Sequence, residues 1–404
     1  MANSLLTIQM ITNELLARFE NRCVLARFIN RTYEDAFGKR GAKIGDTLNV
    51  RKPTRFLAID GAALSVQDVN ETYVPLAITQ RKHTAFQFNS SEMALSIDNF
   101  ADRYLDSAAI ALANSVDVFL MQTALNGSFQ SVGTPGTALA NGDLIAQASA
   151  RIASQAAPLA TDMMSSVFDP ISQAAVVTGT KSLFNPSDTI SGQYKTGNMG
   201  IAYGVRNNMD QNVIVRQTGP GGGAPAINGA GQTGAALNTD GWTAAAGLRL
   251  KMNDTFTIAG VYKVNPVSYQ PLAELMQFTV TADVNSDGTG AAVVPITPPI
   301  VTAGSEKNVS AGPADNALIT VLGPANTLTT QNLVFHRDAL TFAMVDLPLP
   351  GGQDMSARAT DKQTGISLRV WRQPDINTDQ WPCRVDIEFG AAVLRPEWLC
   401  RIQS

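Results

Sequence analysis

Two histidines, His83 and His336, are all the imidazole in a chain of 404 residues, so neither a Ser-His-Asp arrangement nor a multi-histidine metal site has the side chains it needs. His83 stands between Lys82 and Thr84 in a strand-like run and His336 in Phe335-His336-Arg337-Asp338; both read as structural. A cytoplasmic enzyme using an acid pair such as Asp338 and Asp346 is a further reading, and no motif supports it. There is no G-x-S-x-G elbow, and Gly219 to Gly223 lacks the Lys-Ser/Thr that completes a phosphate loop, so those glycines read as a linker. Asp283-Val-Asn285-Ser-Asp287-Gly288 has the opening oxygen spacing of an EF-hand calcium loop. Its twelfth position is Val294, where a bidentate Glu is required, and no helix precedes it, so a hairpin turn at Asp287-Gly288 is expected. Cys23, Cys383 and Cys400 are far apart, odd in number and without a C-x-x-C pair, which reads as reduced structural thiols. No catalytic, cofactor-binding or metal-ligating residue is expected.

The elements that carry these residues are of two kinds. From about Leu5 to Asn30, the residues Ile8, Ile11, Leu15, Phe19, Cys23 and Ala26 recur three or four apart, predicting an amphipathic helix. From about Ile44 to Phe88 the pattern is that of strands. Leu48 and Val50 alternate, Asp60-Gly61 is a turn signal and Thr72 to Ile78 has period two, which together predict a long two-stranded ribbon. Two strands alone are marginal in water, so the ribbon needs another surface. Its charged residues Arg51, Lys52 and Arg55 on one limb, and Asp60, Asp68 and Glu71 near the tip and return, are the candidate assembly interface.

A helix over 96–127 is predicted from Ser96 as cap, apolar spacing from Ile97 to Leu120 and a stop at Asn126-Gly127; it would span about 45 Å. A further helix begins at Asn141, Met163 to Phe168 reads as a buried strand, and Asp169-Pro170 opens another helical segment. Gly219-Pro-Gly-Gly-Gly-Ala-Pro225 reads as a flexible hinge. Beyond it, strand candidates at Gly247–Lys251, Thr255–Val264, Gln277–Ala282 and Ala317–Leu322 predict a small all-β unit inserted into a mixed chain. Leu333–Leu347, Ile366–Trp371 and Cys383–Phe389 return to strand. In the last, Cys383, Val385, Ile387 and Phe389 alternate with Arg384, Asp386 and Glu388, predicting a sheet with one buried face.

Composition limits the partners. Charged residues make up 16% of the chain, against about 25% in ordinary soluble proteins, leaving an uncharged polar surface suited to protein contact. A net charge of −4 argues against bulk affinity for nucleic acid or anionic membrane. The start, Met1-Ala-Asn-Ser-Leu-Leu-Thr-Ile, lacks a basic region and an apolar core, so no signal peptide is expected. Ser107 to Met121 is interrupted by Asn114, Ser115 and Asp117 and is not expected to span a membrane.

Four stretches carry a resemblance to a known family: Gly41-Ala-Lys-Ile-Gly-Asp-Thr-Leu-Asn-Val-Arg-Lys-Pro53 with Asp60-Gly61-Ala62, Leu183-Phe-Asn-Pro-Ser-Asp188, Gly197-Asn-Met-Gly200 and Asn332-Leu-Val-Phe-His-Arg-Asp-Ala339. With the order of elements, they resemble the major capsid (coat) proteins of tailed bacteriophages (Caudovirales), of the short-tailed Salmonella phage type with an insertion domain. The resemblance implies an α+β, Hong Kong 97-like phage capsid fold. It implies residues 1–43 as an N-terminal arm, 44–88 as an extended β-hairpin (E-loop) and return strand, and 89–218 as a peripheral domain with spine helix 96–127 and part of an axial domain. Residues 222–331 would be the inserted β-domain and 332–404 the axial and peripheral return strands.

The function implied is structural. The protein would self-assemble, as hexamers and pentamers, into an icosahedral head, together with a scaffolding protein and a portal protein. Packaged double-stranded DNA would lie on the inner surface without sequence specificity, and no cofactor, membrane or enzymatic activity is implied. The protein would be found in the virion, and in the host cytoplasm during assembly. The alternative from residues alone is a secreted or surface β-rich binding protein, suggested by the Thr/Gly-rich middle and the Asp283 loop.

Overall fold

The computed structural model describes residues 8–31, 47–52, 56, 66, 72–89, 106–158, 163–179, 199–352, 355–360 and 366–404. The fold is α+β, and the chain forms two compact units: one from Met1–Arg51, Tyr73–Met121 and Leu340–Leu394, the other from Lys52–Thr72, Gln122–Ala339 and Arg395–Ser404.

The first unit is built around the long strand Gln380–Val393. Leu340–Met344 and Ser367–Arg372 pair along one part or another of it, Met355–Thr360 continues from Ser367–Arg372, and Gln80–Asn89 pairs over its first ten residues. Val385, Ile387 and Phe389 are buried on one face, as the alternation predicts. The other face departs from expectation at Asp386, which is also fully buried. Its carboxylate accepts hydrogen bonds from Arg369 Nη2 (2.7 Å) and Trp371 Nε1 (2.9 Å), which come from the neighbouring strand and which a single-strand pattern does not reveal, and from Arg384 Nε (2.7 Å) of its own strand. Burial alone would raise its pKa, but these donors hold it below the ordinary carboxylate value.

Helix α1 (Ile8–Arg22) packs on Met355–Thr360 and Ser367–Arg372, burying Leu15 and Phe19. The predicted continuation to Asn30 does not form as α-helix, and a 3₁₀ turn, Leu25–Arg27, follows instead. The cause is Asp117, whose buried carboxylate accepts the N–H groups of Val24 (2.9 Å) and Leu25 (3.2 Å) and so replaces the carbonyls an unbroken helix would use. Asp117 sits on α2 (Asp106–Gly127), the described part of the long predicted helix; residues 96–105 lie outside the described residues. By length and composition the stretch Ser107–Gly127 could cross a membrane, contrary to the expectation from its polar interruptions. In this unit, however, α2 presents Asp117 to α1's end and Phe119 to the ring of Phe389, edge-on at 5.4 Å.

The second unit holds a sheet in the order Gln130–Val132, Leu399–Gln403, Leu328–His336, Met164–Phe168, Val205–Met209, Ile201–Ala202. Helix α3 (Asp143–Ala153) packs on it through Ile145, Ala148 and Ile152. Helix α4 (Pro170–Gly179) is capped by Asp169, which accepts from Ile171 and Ser172 N–H. The predicted strand Leu333–Leu347 is broken by a 3₁₀ turn at Arg337–Ala339, between Leu328–His336 and Leu340–Met344.

The same unit contains a six-stranded antiparallel sheet in the order Ile319–Val321, Thr255–Val264, Pro271–Val280, Ala292–Ile300, Gly234–Trp242, Gly223–Ile227. Its two outer strands are joined by the bridge Ala226–Leu318 and by Ile227 N–H to Ala317 O (3.0 Å), so the sheet closes into a barrel. Leu237, Trp242, Phe256, Phe278, Val294 and Ile319 are among the side chains packed in its core. Ala292–Ile300 carries Pro295, Pro298 and Pro299, which disguise it as a loop in sequence. They are tolerated because its ladder with Gly234–Trp242 is interrupted after Pro295 and resumes only at Ile300, and its ladder with Pro271–Val280 uses only Ile296 and Thr297.

The expected flexible hinge is overturned. Gly219 N–H donates to Asp254 Oδ2 (3.0 Å), Gly221 N–H donates to Arg249 O (2.8 Å), and Gly223 opens a barrel strand. The run is glycine because backbones approach closely: a Cβ on Gly223, whose φ is +82°, would lie 2.3 Å from Gly241 O. Gly223→Ala is therefore expected to destabilise the protein by about 2 kcal/mol, seen as a lowered midpoint in thermal or urea unfolding. A neutral or stabilising change would restore the hinge reading.

Candidate assembly surfaces

Of the predicted interface residues, Arg51 and Lys52 are described, while Arg55, Asp60, Asp68 and Glu71 lie outside the described residues. The ribbon itself forms at its base. Thr47–Arg51 pairs antiparallel with Tyr73–Ala77 in the register Thr47–Ala77 to Arg51–Tyr73, and Lys52 N–H donates to Thr72 O at 2.8 Å. One face, Leu48, Val50, Val74 and Leu76, packs on Ala343, Ala392 and Leu394 of the first unit. Gly390 permits this approach, since a Cβ there would lie 2.0 Å from Ala77 O. The other face, with Thr47, Asn49, Arg51, Tyr73 and Pro75, is exposed. Tyr73 is 64% exposed, and farther along the ribbon segment Phe56 is 58% and Val66 80% exposed. These apolar groups are candidate contact residues that attention to charge alone passed over; the alternation around Tyr73 was the available signal.

His83 is exposed on Gln80–Asn89. His336 is fully buried, with Nδ1 accepting Asp338 N–H (3.1 Å) and its ring against Trp398 at 4.8 Å. Asp346 accepts from Thr360 (3.0 Å) and Ser367 (2.5 Å) hydroxyls. In the supposed calcium loop, Asp283 Oδ1 accepts Met252 N–H, and Asp287 Oδ1 accepts the hydroxyl and N–H of Thr289 and the N–H of Ala291. Asn285 is in a strand, so the motif is a turn; among the described residues no cluster of His, Cys, Asp or Glu fits a metal. The three cysteines are buried, and burial pushes the thiols of Cys383 and Cys400 up to about 11 and about 12.

A polar construction lies where the barrel meets the sheet of its own unit. Arg401, fully buried in Leu399–Gln403, donates to Asn253 O (2.9 Å), Thr255 Oγ1 (2.5 Å) and Thr279 Oγ1 (2.8 Å). Gln277 donates to Ser131 O (2.9 Å) and accepts Ser131 N–H (2.7 Å), so its amide closes the edge of Gln130–Val132 as another strand would. Lys263 Nζ donates to Ser154 Oγ (2.7 Å), Gln130 Oε1 (3.2 Å) and Arg151 O (3.4 Å), and burial pulls its pKa down to about 8. No local sequence pattern marks these residues.

A family model described as "P22 coat protein - gene protein 5" matches residues 1–400. The chain belongs to the P22 coat protein family. It is a structural major capsid protein of a tailed phage, a component of the virion that assembles into a multimeric shell. The α+β, Hong Kong 97-like capsid fold implied by the resemblance agrees with this membership, while the surface-binding alternative has no support. No curated protein matches this coat protein. Among solved structures it is similar to that of Mycobacterium phage Che8, at 13% identity over 94% of this chain and 90% of that one, with a TM-score of 0.49. It is also similar to the capsid of Ralstonia phage GP4, at 8% identity over 94% and 89%, TM-score 0.47. A virus-like particle from Pyrococcus furiosus matches at 8% identity over 97% of each chain, TM-score 0.43.

The buried histidine gives the coat protein an acid-sensitive point. Burial lowers the pKa of His336 below its ordinary value, against the opposing pull of Asp338, so the unfolded chain binds the proton more readily. The stability this contributes is present above about pH 6.5 and lost as pH falls through the folded-state value. A His336→Asn variant, compared with wild type by unfolding midpoints from pH 7 to pH 5, should show a shallower acid decline; parallel declines would show that His336 is not responsible.

Proposed function

We propose that this coat protein builds an icosahedral head of hexamers and pentamers around double-stranded DNA, assembling with a scaffolding protein and a portal protein in the host cytoplasm and performing no catalysis. The observation that carries the reading is the coat-protein family match over residues 1–400. With a net charge of −4, the chain would meet DNA through local contacts and without sequence specificity.

Within this reading the five-part division of the chain stands as proposed, from the arm 1–43, through the E-loop 44–88 and the peripheral region 89–218, to the insertion 222–331 and the return strands 332–404. The closed barrel of residues 223–321 supports the fourth of these. Arg51, Lys52, Arg55, Asp60, Asp68 and Glu71, with Phe56, Val66 and Tyr73, would form the surface by which the ribbon clasps a neighbouring copy. The exposed outer face of an otherwise anchored ribbon supports this use.

Two measurements test it. Negative-stain microscopy of the purified protein, with and without a scaffolding partner, should show uniform closed shells; a monomer under every condition would overturn the reading. Because the ribbon base packs on its own unit, replacing residues 53–71 by an Asn-Gly turn should leave a folded subunit with wild-type circular dichroism that fails to assemble. Global unfolding of that variant would instead place the segment in the subunit core.

A further inference from the structure

We propose that the outward face of α4, with Met209 near its start, is an assembly surface covered in the shell by a second copy of this chain. This rests on shell assembly by copies of the coat protein, and it adds a contact separate from that of the ribbon.

Helix α4 reads Pro-Ile-Ser-Gln-Ala-Ala-Val-Val-Thr-Gly, ten residues without a charge. Its inner side buries Ser172, Gln173 and Val176. Ile171, Ala174 and Thr178, three and four apart, form a stripe on the other side and are exposed, Ile171 to 82%. The sheet adds a second large apolar group close to the helix start. Phe168, three residues before Ile171, stands in register with Met209 of the adjacent parallel strand, and Met209 is 52% exposed. A surface helix ordinarily turns charged residues to water, and a helix lacking them all round belongs in an interior. Folding does not require an isoleucine in water here, because Asp169 caps the helix and Pro170 opens its first turn. Large apolar groups gathered at one place on a surface mark an interaction site.

Charge selects the occupant. DNA needs cations to neutralise its phosphates, and α4 has neither lysine nor arginine. Each copy of the chain carries a net charge of −4, so copies repel, and charged surfaces of identical subunits set like charges against each other at a cost. A face without charge avoids that cost and lets two acidic copies touch through apolar area. Family membership supplies the copies, since a major capsid protein forms its shell from them.

Ile171→Glu separates folding from assembly. It puts a carboxylate in the first turn of α4, where the helix dipole favours it, so the subunit should unfold at the wild-type temperature or above. The same charge on the covered face should raise the concentration at which full-length subunits form shells by about tenfold or more, read by light scattering and negative-stain microscopy, while Ile171→Leu assembles as wild type. Ile171→Glu shells forming at the wild-type concentration would overturn the proposal. A lowered unfolding midpoint would overturn it too, by showing that the face is packed inside its own subunit. A defect confined to assembly with a scaffolding protein, and absent without it, would make that protein the occupant in place of a second copy. Wild-type subunits that form no shell under any condition would sink the assembly reading itself and this contact with it.

Discussion

The second unit depends on one buried cation. Arg401 lies in a strand paired on both sides, with Leu328–His336 and Gln130–Val132, and its guanidinium has no route to water. Burial pulls its pKa down to about 9, the mark of a charge held where solvent would otherwise stabilise it. Such a group is tolerated only while oxygens surround it, and the barrel supplies them from Asn253, Thr255 and Thr279. The barrel and the sheet are therefore conditional on each other. Asp254, between two of those acceptors, extends the arrangement by accepting from Arg216 (2.5 Å), Gly219 N–H and Lys251 N–H, which fixes the path of the chain into the barrel. A glycine-rich stretch that would be a free linker by composition is thereby held in one conformation.

An attachment made of polar groups has a different character from an apolar one. Apolar faces slide at small cost, whereas Arg401, Gln277 and Lys263 each require particular partners, so the barrel has one register on the sheet. Lys263 shows the balance. Its folded-state pKa of about 8 lies below the ordinary lysine value, so the folded protein gives up this proton more readily, and between those values stability rises with pH. At neutral pH the ammonium is thus a net cost of folding, and what offsets it is specificity of placement together with Gln130, Ser154 and the carbonyl of Arg151 at the end of α3.

How much of this was legible depended on whether the cause was local. Thr255–Val264 and Met164–Phe168 follow from runs of β-prone residues and agree with the strands found, almost residue for residue. The ribbon base was readable from alternation at Leu48 to Val50 and Thr72 to Ile78, and the division of the Asp283 motif into strand and turn from the wrong residue at its twelfth position. The failures had causes at a distance. Asp117, some ninety residues away in sequence, ends α1; Arg369 and Trp371 bury Asp386; Gly241 explains Gly223. Ala292–Ile300 was hidden because its prolines are excusable only once both ladders are known. As for the candidate surface, charge was legible in the ribbon, but exposure of Phe56, Val66 and Tyr73 was not, because whether an apolar residue is covered is a property of the fold.

These observations bear on how one subunit can be stable alone and still adhesive. The coat protein buries its charges in closed constructions: Asp386 with two arginines and a tryptophan, Arg401 with three oxygens, Asp117 with two backbone N–H groups. Each finds its partners within one unit. On the proposed reading, what meets a neighbour is of another type, namely the outer face of a ribbon whose inner face is already anchored. Such a face offers contacts that bind weakly one at a time and strongly when repeated. A shell assembled from such contacts can form without requiring any subunit to unfold its core, because the interactions that hold the subunit and those that join subunits use different groups.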